Sequence, residues 1–339
     1  MTLALAVFFP TAGHAAAWGV LLAGILEFLL VAGDTARQGV MPRLCWPRID
    51  AEVMLFLKRF WPATIGSAGT QIALFADTII ATFLPAGALA ALYYADRLNQ
   101  LPIGVIGIAI GTVLLPEMSR RLTTDDHAGA ARSQRRAFDF TLLFSVPFVA
   151  AFLTVPDVIM RAMFARGAFS KADAATAGAT LAAYAIGLIP FVMIRSAVAT
   201  FYARKDTATP VKAALTGVAV NVALKLALMG TLAQIGLALG TAIGAWINLL
   251  LVLFFAVRRG FLDLNREWIN SLAKFAIAGI VLAAALWLTA RFATDYFAQM
   301  SAFRDETALL LLIASGTFVY CFSILLLFGR GWIFSLIRG

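Results

Sequence analysis

Long apolar stretches separated by short charged loops dominate this sequence. An α-helix rises about 1.5 Å per residue, so about 20 apolar residues cross about 30 Å of hydrocarbon. The pattern therefore predicts an all-α fold, a polytopic integral membrane bundle of about nine spanning helices behind an N-terminal stub, Met1–Phe9. The predicted spans are 16–33, 61–84, 92–117, 139–160, 177–202, 209–232, 236–257, 270–290 and 307–329.

Composition agrees with a membrane protein. Hydrophobic residues make up 62% of the chain, charged residues 13%, and the mean hydropathy is +0.89. A soluble chain of 339 residues could not bury that much apolar surface. The net charge of +9 is spread over short loops and forms no basic stripe, so the sequence predicts no nucleic-acid partner.

The loops alternate in charge, which predicts the orientation. One alternating set of loops carries 19 of the 27 lysines and arginines, and the other set carries five. By the positive-inside rule the richer set faces the cytoplasm. The sequence thus predicts a multi-pass protein of the bacterial cytoplasmic membrane with its C-terminus in the cytoplasm.

Catalytic and metal-binding motifs are missing from the sequence. Cys45 and Cys321 belong to no CxxC pair, and the two histidines, His14 and His127, fall in predicted loops. No HExxH, P-loop, GxSxG or zinc spacing occurs. We therefore expect no enzyme activity, no metal and no cofactor.

The segment 92–121, LYYADRLNQLPIGVIGIAIGTVLLPEMSRR, is the most informative part of the chain. It is apolar enough to cross a bilayer, yet Asp96 and Arg97 lie side by side near one end. A charged side chain in the bilayer core costs roughly 2.5–3.5 kcal/mol on insertion scales. A helix that only anchors the chain has no reason to carry that cost. The pattern indicates a helix that lines a polar cavity, which is typical of a transporter.

This segment resembles the signature of the MurJ/MviN family, the lipid II flippases of bacterial peptidoglycan synthesis. The element FYARKDTATPVK at 201–212 is similar to a second family element that follows a membrane helix. The resemblance implies a bundle of the multidrug/oligosaccharidyl-lipid/polysaccharide exporter type. It also implies that the protein moves lipid II to the outer leaflet by alternating access.

The resemblance implies a first lobe of helices before this region, and we expect this sequence to lack most of it. The resemblance implies three parts: a remnant of the first lobe at 1–60, a second lobe of six helices at 61–260, and two additional helices at 261–339. The implied partners are a lipid-linked oligosaccharide, membrane lipids, and a missing first lobe or second chain.

Two other functions stay open. A cation-coupled drug exporter of the same superfamily would share the bundle, although the two family elements argue against it. A non-transporting membrane fragment would account for the missing lobe.

Arg97 is the first candidate for substrate binding. Its planar guanidinium suits bidentate contacts with phosphate, and the resemblance implies that cavity cations bind the pyrophosphate of the lipid. Gly104 and Gly111 share its helix face and leave room beside it. The alternative is an ion pair with Asp77, which flanks the short loop 85–90 on its other side. Spacing alone leaves both interpretations open, and the resemblance favours substrate contact.

Arg195 is the second substrate-binding candidate, although its long side chain could also snorkel to the cytoplasmic surface. Lys225 is a cavity or coupling candidate for which snorkelling is the favoured interpretation. Gly107 is expected to make a close helix contact. The remaining cavity or coupling candidates are Asp77, Asp96 and Glu27, of which Asp96 is favoured as an ordinary polar residue at the outer interface.

Overall fold

The computed structural model describes residues 11–39, 50, 53–54, 56–57, 60, 75, 78–263, 265–296 and 303–338. Within these ranges the chain is helical and contains no strand. Seven helical stretches among the described residues are long and apolar enough to cross a membrane, and one of them, Lys171–Tyr202, consists of two consecutive helices. This confirms the predicted polytopic membrane protein. The chain divides into two units, residues 1–65 and residues 66–339. The predicted division into three parts stays a prediction.

The first unit contains α1, and the second contains α2 to α9. The helices are α1 (Ala12–Arg37), α2 (Ala88–Thr123), α3 (His127–Thr154), α4 (Pro156–Phe164), α5 (Lys171–Ile186), α6 (Leu188–Tyr202), α7 (Ala208–Arg258), α8 (Arg266–Tyr296) and α9 (Arg304–Arg338).

The first predicted span is confirmed by α1. This helix begins where the Thr11 hydroxyl accepts a hydrogen bond from the backbone N–H of His14 at 3.3 Å. A hydroxyl in this position satisfies one of the N–H groups that a helix leaves without a partner at its start. The stub Met1–Phe9 and most of the predicted span 61–84 lie outside the described residues.

The 51-residue helix α7 is a hairpin of two antiparallel helices. A straight helix of that length would measure about 75 Å, more than twice the thickness of a bilayer core. At Ala233 the backbone leaves the helical region, with φ 46° and ψ −127°. Beyond it the chain returns along itself, since a Cβ placed on Gly217 would lie 2.8 Å from the carbonyl oxygen of Gly244. Glycine therefore lets the two backbones touch.

The ends of the hairpin meet as well. Asp206 precedes α7 and Arg259 follows it, and their side chains form an ion pair. The predicted spans 209–232 and 236–257 are thus confirmed as the two halves of one hairpin.

One predicted span ends earlier than expected. The span predicted at 139–160 is interrupted after Thr154, where Val155 adopts φ −130° and ψ 39°. Val155 precedes Pro156, and the proline ring disfavours helical geometry in the residue before it. Pro156 then opens the short helix α4.

Two prolines inside the bundle each release a backbone carbonyl, and a side chain from another helix takes it. Pro190 has no N–H to donate to the carbonyl of Ile186, four residues earlier. The indole Nε1 of Trp246, on α7, donates to that oxygen at 2.8 Å. The hairpin is thereby joined to the junction between α5 and α6.

The second released carbonyl belongs to Leu143, four residues before Pro147 in α3. The hydroxyl of Tyr320, on α9, donates to this oxygen at 2.8 Å. Tyr320 is buried, so the bond joins α9 to α3 within the bundle.

The last two helices dock on the bundle along their length. Helix α8 runs parallel to α3. Near one end Arg135 on α3 pairs with Glu267 on α8, and farther along Val146 on α3 lies against Gly279 on α8, so residue numbers increase in the same direction on both helices. At the other end of α3, near its junction with α4, Asp305 at the start of α9 forms an ion pair with Arg161, 3.2 Å long. Each of the two ion pairs joins segments that the predicted topology places on the same side of the membrane.

We expect Trp246→Phe to lower the thermal stability of the membrane protein, because it leaves the carbonyl of Ile186 without its donor. Hydrogen bonds between membrane helices contribute about 0.6 kcal/mol on average and up to about 1.7 kcal/mol. Thermal unfolding in detergent measures the loss. Trp287→Phe, at an exposed position of α8, is the matched control and should change little.

The same experiment in a Pro190→Ala background identifies the cause. Alanine restores the helical N–H to Ile186, so Trp246→Phe should cost less there than in the parent chain. If Trp246→Phe lowers the thermal stability equally in both backgrounds, Trp246 stabilises the bundle by packing alone.

Candidate transport site on helix α2

Tyr93 holds Arg97 on the exposed side of α2. Nη2 of Arg97 donates to the Tyr93 hydroxyl at 3.0 Å, and its guanidinium carbon lies 4.9 Å from the centre of the tyrosine ring. The two residues are four positions apart, which places them on one helix face. A guanidinium has five N–H donors, and Tyr93 accepts one of them. Arg97 is therefore positioned and exposed, as a contact for an anion requires.

Open space lies beside Arg97 on the same helix face. Among the residues that the structure describes, a Cβ placed on Gly104 or on Gly111 would meet no atom within 4 Å. Leu101 and Val105, four and eight residues beyond the arginine, are 61% and 74% exposed. With respect to the described residues, both positions have the room that the glycine spacing predicts.

Gly107 differs from these two glycines, because the side chain of Arg195 lies against it. A Cβ on Gly107 would come within 2.7 Å of Cδ and 2.8 Å of Nε of Arg195. The predicted close contact at Gly107 is confirmed, and its neighbour is a side chain that crosses from α6. Arg195 remains exposed at the edge of this contact.

The structure does not bring the two candidate arginines together. Gly107, where Arg195 lies, is ten residues beyond Arg97, or about 15 Å along the axis of α2. Arg97 also turns away, toward Tyr93 and the start of the helix. A single phosphate group cannot contact both guanidinium groups in this arrangement.

Of the two acidic candidates near Arg97, the structure describes one. Asp77 lies outside the described residues, so its pairing with Arg97 stays a prediction. Asp96 is half-buried and accepts a hydrogen bond from Nε2 of Gln100. Its role also stays a prediction.

Lys225 corrects an expectation. Its side chain is 1% exposed, so the snorkelling interpretation is wrong. The reason is the glycine opposite it: a Cβ on Gly240 would lie 2.8 Å from Cγ of Lys225, and its absence lets the two halves of α7 close around the lysine. Lys225 therefore lies inside the hairpin. The last candidate, Glu27, is exposed on α1 in the first unit.

Two charged residues of the element at 201–212, Arg204 and Asp206, have structural partners. Arg204 lies 4.4 Å from the ring centre of Phe261 and donates to the carbonyl of Thr200 at 2.9 Å. Burial would raise the pKa of Asp206, but hydrogen bonds from Thr209 and Arg259 outweigh it and hold that pKa below its usual range. These contacts fasten the end of α6 to both ends of the α7 hairpin.

Two residues near the candidate site escaped the sequence analysis. Tyr93 could have been found, because an aromatic residue four positions before an arginine is a recognisable helix pair. Gln134 could not, since its neighbours are surface arginines. Its side chain is 1% exposed, and its Nε2 donates to the carbonyl of Ser196 at 2.7 Å, beside Arg195.

Comparisons with known proteins identify the family of this chain. A family model described as lipid II flippase MurJ matches residues 1–306, which is more than half of the chain. A probable lipid II flippase MurJ of Rhizobium meliloti is 38% identical over 276 residues, covering 81% of this chain and 51% of the relative. This chain thus spans about half the length of the curated relatives it matches.

Solved structures share the fold. A lipid II flippase MurJ in an inward closed conformation superposes with a TM-score of 0.79 at 23% identity, covering 98% of this chain and 65% of that one. A MATE family multidrug resistance transporter in an outward-facing conformation reaches 0.52 at 16% identity, covering 81% and 64%. The drug-exporter alternative is therefore not better supported.

We expect Gly107→Ala to displace Arg195, because the new methyl group would occupy the place of its Cδ and Nε. The change should lower thermal stability in the parent chain and should cost less in an Arg195→Ala background, where nothing needs to move. Gly104→Ala is the control and should be neutral, since its Cβ enters open space. If Gly107→Ala lowers the thermal stability equally in both backgrounds, the Arg195 side chain does not occupy the space beside Gly107.

Proposed function

We propose a function from the premise that this chain belongs to the lipid II flippase MurJ family. The chain contributes to moving the lipid-linked peptidoglycan precursor, lipid II, from the cytoplasmic to the outer leaflet by alternating access. The observation that carries the proposal is the exposed face of α2, where a positioned arginine lies beside open space. Because the chain spans about half the length of its relatives, the proposal concerns the contribution of this half.

Arg97 binds the pyrophosphate of the substrate in this proposal. A guanidinium presents a fork of donors that matches phosphate oxygens, and inside a membrane cavity that charge-assisted contact is screened little by water. Tyr93 limits the rotamers of Arg97 before the substrate arrives, so less side-chain entropy is lost on binding.

Arg195 makes a second, separate contact with the head group. Since it lies about 15 Å farther along α2, the pyrophosphate meets the two arginines at different stages of its passage. Open space at Gly104 and Gly111 borders the path between and beyond them. The substrate thus exchanges one cation for another and never loses its counter-charge completely.

The exposed face of α2 turns toward the partner that completes the cavity. Transporters of this type hold their substrate between two lobes that rock against each other. A first lobe, from the same or a second chain, would cover Leu101 and Val105, which are otherwise exposed. The basic loops face the cytoplasm, and so does the C-terminus.

We expect Arg97→Ala to abolish transport and Arg97→Lys to retain part of it, because lysine keeps the charge and loses the fork. Tyr93→Phe should reduce transport moderately, since the ring stays and the hydroxyl is lost. The measurement is growth of flippase-depleted cells that make this chain together with the N-terminal half of the Rhizobium meliloti relative.

Arg291→Ala provides the matched control for this series. Arg291 also lies over an aromatic ring four residues earlier, 4.1 Å from the ring centre of Trp287, but on α8. It should leave growth unchanged. Normal growth with Arg97→Ala would contradict the role of Arg97, and no growth with the unaltered chain would contradict the proposed function itself.

The orientation has its own test. Single cysteines at Ala131 and Ala168, both exposed, are placed in a chain that lacks Cys45 and Cys321. An impermeant thiol reagent added to whole cells should label position 168 and spare position 131. The reverse pattern would invert the topology and the proposed direction of the basic loops.

A further inference from the structure

Asp139 is a buried acid outside the transport site. It is 4% exposed and lies where α3 meets α8, with the hydroxyl of Ser271 facing its carboxyl group. Its Oδ1 is fully buried and has no hydrogen-bond partner in the part of the chain that the structure describes. A buried carboxylate with an unpaired oxygen is costly, and more so inside a membrane bundle.

The neighbouring cation is already engaged. Arg135 lies one turn before Asp139 on α3 and forms the ion pair with Glu267 on α8. Farther along α8, the Lys274 ammonium lies 4.9 Å from the ring centre of Phe328 on α9. One guanidinium therefore serves two acids at the junction between α3 and α8.

The acid that α2 presents to α3 lies away from Asp139. From α2, Glu117 accepts a hydrogen bond from Ser133 at 2.7 Å. Ser133 is six residues before Asp139, so it lies on a different side of α3. Gln134 faces α6. Arg136, half-buried on α3 itself, lies three residues before Asp139.

We propose that Asp139 is a proton-binding site that controls how tightly the α8–α9 helix pair docks on α3. In the docked state the carboxyl group carries the proton, since the neutral form loses far less on burial than the anion. When α8 separates, water reaches the group and Asp139 releases its proton to that water. This inference rests on the α3–α8 contact and does not depend on the substrate of the protein.

Linkage gives the direction of the effect. If docking favours the protonated form, then protonation must favour docking by the same free energy. Docking is therefore tight at low pH and weakens as rising pH ionises Asp139. Because the anion also competes with Glu267 for Arg135, ionisation loosens the ion pair that joins α3 to α8.

A cysteine pair at Val146 and Gly279 reports the docking. A Cβ on Gly279 would lie 2.9 Å from Cγ1 of Val146, so cysteines there are within disulfide reach in the docked state. The pair is placed in the full chain without Cys45 and Cys321. The cross-linking rate is measured across pH with Asp139 intact and as Asp139→Asn. Dividing the two rates at each pH removes the pH dependence of thiol oxidation.

The ratio of the parent rate to the Asp139→Asn rate should be near one at low pH and fall several-fold as pH rises. Asp263→Asn, at an exposed position, should give a ratio near one throughout. A ratio that does not vary with pH would overturn the proposal. So would failure of Asp139→Asn to insert, because asparagine mimics the proposed neutral form. Infrared spectra supply a second measure: a protonated carboxyl band that disappears with Asp139→Asn is expected, and its absence at every pH also refutes the site.

Discussion

The structure depends on one constraint: inside a membrane, backbone N–H and C=O groups must find partners within the protein. Pro147 and Pro190 break this rule locally, because neither can donate to the carbonyl one turn earlier. In each case a side chain from a distant helix supplies the donor, Tyr320 for Leu143 and Trp246 for Ile186. The turns that lack a helical hydrogen bond are thus the turns at which another helix is attached. Any bending at these prolines must move the partner helix as well.

Small residues and charges follow the same logic. Glycines at the α7 hairpin let two backbones touch, and the space they leave encloses Lys225. Ion pairs lie at the ends of helices, where they join neighbouring loops with little desolvation. Arg97, on α2, and Arg195, whose side chain lies against Gly107 of α2, are both exposed. The two arginines that we propose as substrate contacts are therefore accessible, whereas the charges at the ends of α3 and α4 are paired.

Much of the fold could be predicted from the sequence, because a span is a local property of about 20 residues. The two halves of α7 were recognisable in this way, and so was the open space at Gly104 and Gly111, which needed only helical periodicity. The break at Val155 was also encoded locally by Pro156, but a hydropathy pattern does not register it. The contacts between α3 and α8 could not be predicted, because no local sequence pattern gives the register between helices that are distant in the chain.

The candidate site was less predictable for the same reason. Arg97 was found because a charge in an apolar span is conspicuous. Lys225 was conspicuous too, yet its burial depends on Gly240 on the opposite half of the hairpin, which spacing alone does not place. No sequence pattern indicated that Gln134, which lies among arginines, is buried. Its hydrogen-bond partner, the carbonyl of Ser196, is 62 residues away in the sequence.

Direct capture of the substrate tests the central claim, that the face of α2 beside Arg97 lines the path of lipid II. A photoreactive amino acid at Gly104 should cross-link to radiolabelled lipid II in membranes, because open space adjoins this position. The same group at Phe254, an exposed position on α7, should not. An adduct at Phe254 and none at Gly104 would contradict the account, since the substrate would then pass along a different surface of the bundle.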